Sequence, residues 1–345
     1  MATAASPPPP ALTFPRPIFA AVSPHPFLQA HLSADKSAIR ANGRAAHEFR
    51  APGVHTGSLT HCNGSAVVRL GNTSVVCGVR AEILREEDTP GTSAREVSSE
   101  EEDDEDADAD ADADADEIDA LRLVVPNIEL STGSTPAHIP GAAPSTTQQA
   151  LTTRLRTLLH STRLLRARDL HITHTPAVNP EDPDAAPAAQ LKGYWVLYLD
   201  VVFLSLDGGA FDAAWLSIVA ALRHTRLPRA YFDDELDGIL CSDAPAEASS
   251  LRLRGLPVAS SFAVFEGRGA GEGEGEKGAD WVLSDPDAFE EGVCREAVTI
   301  TVHRGTVCRV EKSGGGVVGR ETMKALVQRA VERWDVVEEA VNGRA

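Results

Sequence analysis

The sequence has few of the residues that disulfide frameworks and metal centres require. It contains five cysteines in 345 residues, none of them in a Cys-X-X-Cys pair, and only two methionines and three tyrosines. An odd number of isolated cysteines is typical of small buried thiols in a reducing compartment. No apolar run approaches the roughly 20 residues that a bilayer span needs, and the chain does not open with the apolar stretch of a secretory signal. We therefore expect a cytosolic or nuclear protein that has no metal site and does not contact a membrane.

Negative charge is concentrated in one segment. The net charge is −19, but residues 100–119 alone hold 14 acidic residues and no basic ones. Such a run repels itself and has few side chains to bury, so we expect residues 86–119 to form a disordered acidic insert. Deletion of residues 100–115 is then expected to leave folding intact. Because the charge belongs to the insert, it does not exclude a nucleic-acid partner.

Strand and helix patterns alternate in two clusters, which predicts an α+β architecture in two lobes. Two β-rich runs, residues 65–70 and 74–83, flank a Gly71-Asn72 turn that suits a type II′ hairpin. The strongest strand prediction is residues 194–204, and the apolar spacing from Phe211 to Leu222 predicts a core-facing helix after it. Further strands are predicted at residues 121–125, 258–265, 281–283, 298–302 and 306–310, and further helices from Ser145 and near Arg320.

The same patterns divide the chain into segments. We expect a disordered proline-rich N-terminus at residues 1–17, an N-terminal lobe at 18–226 and a C-terminal lobe at 227–345. A Gly/Glu-rich loop is predicted at residues 266–279.

Two short motifs suggest ligands only weakly. Residues 314–319 match Gly-X-Gly-X-X-Gly, but only 26 residues follow Gly319. A dinucleotide site needs a second strand and a ribose-binding acid beyond the helix, so a flexible turn is favoured. His171 and His174 are three residues apart on a predicted strand and therefore face opposite sides, which favours ordinary histidines over metal ligands.

Carboxylates are the more interesting candidates. Asp200 and Asp207 lie on or just after the longest predicted strand. Four acids follow the strand at 281–283: Asp285, Asp287, Glu290 and Glu291. Clustered acids can hold a metal or act as general acid, and a solvated turn with a capped helix start explains them equally well.

Several motifs in order resemble the RNase PH family, in the branch that builds the eukaryotic exosome ring. The motifs are residues 40–44, 48–50, 64–79, 125–130, Asp200-Val201 with 207–209, and Asp285-Pro286 with Glu290-Glu291. The resemblance covers about residues 18–341, interrupted by the acidic and Gly/Glu-rich segments. It implies an RNase PH-like fold of two β-α-β-α lobes.

The resemblance also bears on catalysis. Family members that phosphorolyse RNA hold phosphate with a Gly-Gly-Thr-Arg-Thr turn, whereas residues 208–212 here read Gly-Gly-Ala-Phe-Asp. Ala210 and Phe211 offer no cationic donor, and Asp212 is expected to repel an anion. Asp285 and Glu291 match two acids of active relatives and are interpreted as vestigial. A non-catalytic subunit is thus implied, and a phosphate-dependent 3′–5′ exoribonuclease is the alternative.

Partners follow from the same resemblance. It implies a heterodimer with another RNase PH-like subunit within a six-membered ring, OB-fold and KH cap subunits, a hydrolytic nuclease and single-stranded RNA. It implies RNA processing and decay, ribosomal RNA included, in the nucleus, nucleolus and cytoplasm, with no cofactor. Candidates for an RNA path are Arg154, Arg156, Arg163 and Arg166, which fit a solvated helix face at least as well.

Overall fold

The structure is a computed structural model that describes residues 14–34, 38–89, 107–135, 138–139, 141–176, 189–268 and 277–343. None of the helices in these ranges is long and apolar enough to cross a membrane. The helices are α1 (Arg16–Val22), α2 (Pro24–Ala34), α3 (Ala107–Ala120), α4 (Thr146–Ser161), α5 (Ala210–His224), α6 (Ala288–Val293) and α7 (Arg320–Val341).

A mixed sheet forms the first half of the fold. Its strands are β1 (Pro52–Thr56), β2 (Gly64–Leu70), β3 (Thr73–Arg85), β4 (Val124–Leu130), β5 (His171–His174) and β6 (Gln190–Ser205). The strand order is β1-β2-β3-β6-β4, with β5 also paired to β6. β4 is parallel to β6, while the other pairs are antiparallel. The long apolar run predicted as a strand is therefore the centre of this sheet.

The predicted hairpin opens the sheet. β2 and β3 pair antiparallel around Gly71-Asn72, and Gly71 has a φ of +58°, as the first position of a type II′ turn requires. Alternate residues of both strands are buried, including Val68, Val75 and Cys77. Local sequence pattern and tertiary packing agree here.

A four-stranded antiparallel sheet forms the second half. It contains β11 (Val258–Arg268), β12 (Lys277–Ser284), β13 (Glu296–His303) and β14 (Thr306–Ser313), in the order β12-β11-β13-β14. Two short strand pairs come between the two sheets along the chain: β7 (Arg226–Leu227) with β10 (Ser249–Ser250), and β8 (Ala230–Asp233) with β9 (Gly238–Cys241). The predicted α+β architecture is therefore present, and the lobe boundary at residues 226–227 stays a prediction.

Helix α5 lies between the two sheets and is buried along most of its length. It contacts β2 and β3 of the first sheet and β11 of the second. Trp215 is 1% exposed, and its indole N–H donates to the Pro257 carbonyl at 2.8 Å. One continuous apolar core therefore runs from the first sheet through α5 to the second.

Two boundaries differ from those that the sequence predicts. Disorder is predicted to residue 17, but α1 begins at Arg16, directly after Pro15; residues 1–13 lie outside the described residues. A strand is predicted at residues 121–125, but β4 begins at Val124 and runs to Leu130. The amides of Leu121 and Leu123 instead donate to carbonyls of α3 and close its C-terminal end.

The prediction of a disordered acidic insert is wrong wherever the structure describes residues 86–119. Residues Glu86–Asp88 form a 3₁₀ turn and residues 107–119 belong to α3; residues 90–106 lie outside the described part. Ala115 is buried, and Asp114 is paired with Arg254 at 2.5 Å. Basic partners far away in sequence stabilise this helix, and the charge pattern of the segment alone does not reveal them. Strands also extend into the predicted Gly/Glu-rich loop at residues 266–279, because β11 ends at Arg268 and β12 begins at Lys277; residues 269–276 lie outside the described part.

Candidate functional site

The turn between β6 and α5 is pressed against the loop that follows β12. Gly208 and Gly209 both have positive φ, +69° and +66°, and Gly209 caps α5. A Cβ on Gly208 would lie 2.5 Å from the carbonyl carbon of Asp287, so glycine is required at this backbone contact. The turn at Ala210–Asp212 and the acids near Asp285 are thereby brought together.

Asp285 is held by Arg50. The side chain of Asp285 is 2% exposed; its Oδ2 accepts from the backbone N–H and Nε of Arg50, both at 2.8 Å, and its Oδ1 accepts from Nη2 at 2.5 Å. Burial by itself raises the pKa of Asp285, but the hydrogen bonds and charge of Arg50 outweigh it and hold that pKa below its ordinary value. Both carboxylate oxygens of Asp285 therefore already accept hydrogen bonds from Arg50.

Glu291 occupies the N-terminal end of α5. Its Oε1 accepts the backbone N–H of Gly209 at 2.8 Å. Burial raises the pKa of Glu291, and the Gly209 hydrogen bond opposes that rise. A carboxylate of the chain itself thus accepts the N–H of the residue that caps α5, one of the donors that this helix end would otherwise offer to an anion.

Asp212 points away from the turn. It is buried, and its two oxygens accept from the backbone N–H and the hydroxyl of Ser261, each at 2.7 Å. Burial raises its pKa to about 7, and the nearby charge of Asp285 adds to the rise. Asp212 does not line the cavity in front of the turn. The expectation that it repels an anion there is therefore wrong, because the packing of α5 on β11 turns the side chain inward.

A cavity of about 870 Å³ lies in front of the turn, between α4 and the second sheet. The guanidinium of Arg154 lies over the ring of Phe211, 4.0 Å from its centroid. The turn at Ala210–Asp212 has no basic side chain of its own, but Arg154 of α4 places a guanidinium beside it. Its Nε donates to Glu311 Oε2 at 2.9 Å, however, so a carboxylate already holds it.

The charged lining of this cavity is close to neutral. It consists of two basic residues and three acidic ones: Arg154, Lys312, Glu291, Glu296 and Glu311. Lys312 Nζ lies 2.8 Å from Glu296 Oε2, so the second cation is also paired. An anion entering this cavity would have to compete with carboxylates for each positive group.

The four arginines proposed for an RNA path do not form one surface. Arg154 faces the cavity, whereas Arg156 pairs with Asp119 at 2.6 Å and Arg163 pairs with Asp112, both acids belonging to α3. Arg166 precedes the 3₁₀ turn Ala167–Leu170. Their contact with RNA stays a prediction.

The other sequence candidates lie in separate places. His171 Nε2 and Glu117 Oε1 form a hydrogen bond of 3.3 Å, whereas His174 Nε2 lies 3.3 Å from Asp234 without forming one, so the two imidazoles face different carboxylates and do not converge. Among the residues that the structure describes, no three metal-ligating side chains form a cluster. Asp200 and Asp207 accept from asparagine side chains, and Asp287 and Glu290 form the capping box of α6. The turn at 314–319 leads directly into α7.

Sequence reasoning missed the partners rather than the acids. Arg50 and Arg40 lie within motifs that resemble the family, but the motifs assign neither a role; Arg40 Nη1 donates to Glu290 at 3.1 Å. Ser261 and Glu311 carried no signal at all, since a serine and a glutamate on strands are ordinary residues. The resemblance of the segment at residues 40–50 to the family was the one signal that could have indicated Arg40 and Arg50.

Comparisons with known proteins agree with this architecture. The model of the family RNase_PH, described as 3′ exoribonuclease family, domain 1, matches residues 48–228, slightly more than half of the chain. Exosome complex component rrp43 of Schizosaccharomyces pombe is 27% identical over 324 residues, covering 92% of this chain and 95% of that relative. Exosome complex component Rrp42 of Methanothermobacter thermautotrophicus is 26% identical over 296 residues, covering 85% of this chain and 86% of the relative.

Solved structures show the same fold. An Archaeoglobus fulgidus exosome with RNA bound to the active site matches with a TM-score of 0.60 at 22% identity, over 91% of this chain and 96% of that one. An archaeal exosome core matches with a TM-score of 0.57 at 20% identity, over 90% and 94%. The resemblance to exosome ring subunits that the motifs indicated is confirmed.

Proposed function

We propose, because this chain belongs to the RNase PH family of 3′ exoribonuclease domains, that it is a non-catalytic subunit of an exosome ring. In that role it supports 3′–5′ processing and decay of RNA, ribosomal RNA included, without itself cleaving a phosphodiester bond. One observation carries the proposal: at the turn where phosphorolytic relatives hold phosphate, Phe211 stands in place of a cationic donor, and the Arg154 guanidinium over its ring is paired with Glu311.

Phosphorolysis needs inorganic phosphate at that turn as the attacking group. A phosphate oxygen placed on the Gly209 N–H would have to displace the Glu291 carboxylate or lie beside it. Two unit charges 4 Å apart repel by about 1 kcal/mol in water and more in a less polar site. The side chains of the turn offer the phosphate no hydrogen bond or positive charge to offset this repulsion, since Phe211 has no hydrogen-bond donor on its side chain.

The other charged side chains near the turn, Arg154 and Asp285, already form ion pairs within the chain. Arg154 is the cation nearest Phe211, and Glu311 neutralises it. Asp285 has both oxygens on Arg50 and a lowered pKa, so it is a poor proton donor at neutral pH. These contacts disfavour the alternative of a phosphate-dependent exoribonuclease.

Incubation of the purified chain with single-stranded RNA and inorganic phosphate tests the catalytic half of the proposal. We expect no nucleoside diphosphates, either from the chain alone or from its complex with ring partners. A Glu291→Gln variant is the matched control, since glutamine keeps the acceptor for Gly209 and the shape of the site while removing the charge. Phosphate-dependent release of nucleoside diphosphates by the wild-type chain or its complex would overturn the proposal, and a change in that release in the Glu291→Gln variant would assign the activity to this chain.

Co-purification with quantitative mass spectrometry tests the structural half. A closed ring buries two different faces of each subunit, so two RNase PH-like neighbours are expected at equal stoichiometry with the chain. OB-fold and KH cap subunits and a hydrolytic nuclease are expected in the same complex. A chain that purifies alone would contradict ring membership. The proposed locations, nucleus, nucleolus and cytoplasm, can be followed by imaging the tagged full chain.

A further inference from the structure

The acidic helix α3 lies between two groups of basic side chains. Asp112 and Asp119 are seven residues apart, two helical turns, and share one flank of the helix. Asp114 and Glu117 lie on the opposite flank. Ala115, which lies between the flanks, is buried against the core. The helix therefore presents a narrow apolar face bordered on both sides by carboxylates.

Each carboxylate of the two flanks has a basic partner from elsewhere in the chain. The pairs are Asp119 with Arg156 at 2.6 Å, Asp112 with Arg163, Asp114 with Arg254 at 2.5 Å, and Glu117 with His171 at 3.3 Å. These partners come from α4, from the segment after α4, from the segment before β11 and from β5. Four distant segments thus form one basic surface on which the helix rests.

The sequence of α3 does not favour a helix by itself. Half of its 14 residues are aspartate or glutamate, no basic residue compensates them, and aspartate is a poor residue for a helix interior. Carboxylates near the C-terminal end also oppose the helix dipole. Its helical state therefore depends on the basic surface beneath it.

One member of the basic surface, Arg254, is held in place by contacts outside α3. The guanidinium Nη1 of Arg254 donates to the carbonyls of Arg163 and Leu165 at 3.4 and 3.3 Å, and its backbone N–H donates to Leu164 at 2.9 Å. A cavity of about 30 Å³ remains between α3 and α4. Its lining from outside α3 includes Arg156, His160 and Arg163 and no carboxylate. Removal of α3 would therefore leave Arg156 and Arg163 without their carboxylate partners, beside an Arg254 that keeps its other contacts.

We propose that Arg156, Arg163 and Arg254 form a binding surface for the phosphate backbone of single-stranded RNA, which α3 occupies as an internal competitor. Guanidinium groups suit phosphates as well as carboxylates. RNA as the polyanion rests on the proposed function. Because these ion pairs are partly exposed, each contributes little to stability, and a flexible polyanion is able to displace the helix. RNA binding and α3 docking then oppose each other, and the coupling is reciprocal.

Binding of a fluorescein-labelled oligouridylate to the full chain, followed by anisotropy, tests the proposal. The test variant removes the three aspartates paired with arginine: D112N/D114N/D119N. The matched control removes three other aspartates of the same helix and changes the net charge equally: D108N/D110N/D116N. We expect the test variant to bind RNA at least tenfold more tightly than the control.

Two further measurements decide whether the arginines are responsible. Adding R156Q and R163Q to the test variant should return its affinity to that of the control. Three phosphate contacts on a single strand predict that the Kd of the test variant rises about 20-fold between 50 and 200 mM salt. In the wild-type chain, saturating RNA should accelerate amide hydrogen exchange in residues 112–120.

Several outcomes would overturn the proposal. Equal affinity of the test and control variants, a gain that survives the R156Q and R163Q changes, or unchanged exchange of α3 would each do so. A polyglutamate peptide that binds the test variant when oligouridylate does not would assign the surface to an acidic protein instead. Failure here is distinct from failure of the proposed function, because copurification of ring partners is measured separately, on the wild-type chain.

Discussion

Arg50 donates three hydrogen bonds to Asp285, although 235 residues separate the two in the chain. One donor is the backbone N–H of Arg50, just before β1, and the acceptor lies just after β12. The contact therefore joins the segment that leads into the first sheet to a segment that follows a strand of the second sheet. Arg50 Nη1 also donates to the Asp207 carbonyl at 2.7 Å, at the turn that leads into α5. The acid interpreted as a catalytic vestige therefore has a structural role in this chain.

Asp285→Asn is expected to destabilise the protein strongly. Removal of one partner from a buried ion pair leaves an uncompensated charge and typically costs about 3–5 kcal/mol. Urea unfolding of the wild-type and variant chains at neutral pH measures the difference in free energy of unfolding. An exposed pair supplies the control: Lys324→Met, which breaks the contact with Glu321, should change stability by less than about 1 kcal/mol. A cost as small for Asp285 as for Lys324 would contradict the structural role.

Local pattern predicted the elements whose residues pack against near neighbours or repeat with a clear period. The hairpin at Gly71-Asn72 and the buried helix α5 are examples, because turn chemistry and apolar spacing specify them directly. Helix α3 was missed because its contacts are with segments distant in sequence, such as the pairing of Asp114 with Arg254. The inward orientation of Asp212 was missed for the same reason, since it depends on Ser261 of a strand that lies 49 residues away. Tertiary contacts of this kind have no local signature.

Gly208→Ala is expected to cost more than about 2 kcal/mol of stability. A left-handed conformation costs an alanine roughly 1–2 kcal/mol. The new Cβ would also lie 2.5–2.7 Å from three backbone atoms of residues 286–288, which cannot move as a side chain can. Gly292→Ala in α6 is the matched control, since a Cβ at that position would have no heavy atom within 4 Å. Thermal unfolding should separate the two, with Gly292→Ala neutral or stabilising; equal effects would contradict the close backbone contact.

Inorganic phosphate is expected to leave the stability of the wild-type chain unchanged. A ligand that binds the folded state at ten times its Kd stabilises that state by about 1.4 kcal/mol, which shifts the Tm measurably. Removal of the two carboxylates that hold Gly209 and Arg154, in the variant E291A/E311Q, should create such a shift. The measurement compares phosphate with chloride at equal ionic strength.

The control for the phosphate experiment changes two exposed glutamates of α7, in the variant E321A/E332Q, and should respond as the wild-type chain does. Stabilisation of the wild-type chain by phosphate would count against the proposed function. No response of E291A/E311Q would show that competition from these two carboxylates is not what keeps phosphate out.

Asp212 is expected to make the folded chain less stable as the pH rises from about 4 to 7. Its pKa is raised to about 7 in the folded state from an ordinary value of 3.8, so the folded state binds its proton more tightly than the unfolded state does. The resulting stabilisation is complete below pH 3.8 and is lost as the pH rises through 7, with a slope of at most about 1.4 kcal/mol per pH unit. Burial is the main cause of the rise in the pKa and Asp285 adds to it, while Ser261 and Arg333 oppose it.

Asp212→Asn imitates the neutral acid and keeps an acceptor for Ser261, so the stability of this variant relative to wild type should increase from pH 4 to 7 and stay constant above that range. Urea unfolding of both chains at intervals from pH 4 to 8 measures that difference, from which the titrations common to both chains cancel. Parallel stability curves would show that Asp212 titrates normally in the folded protein.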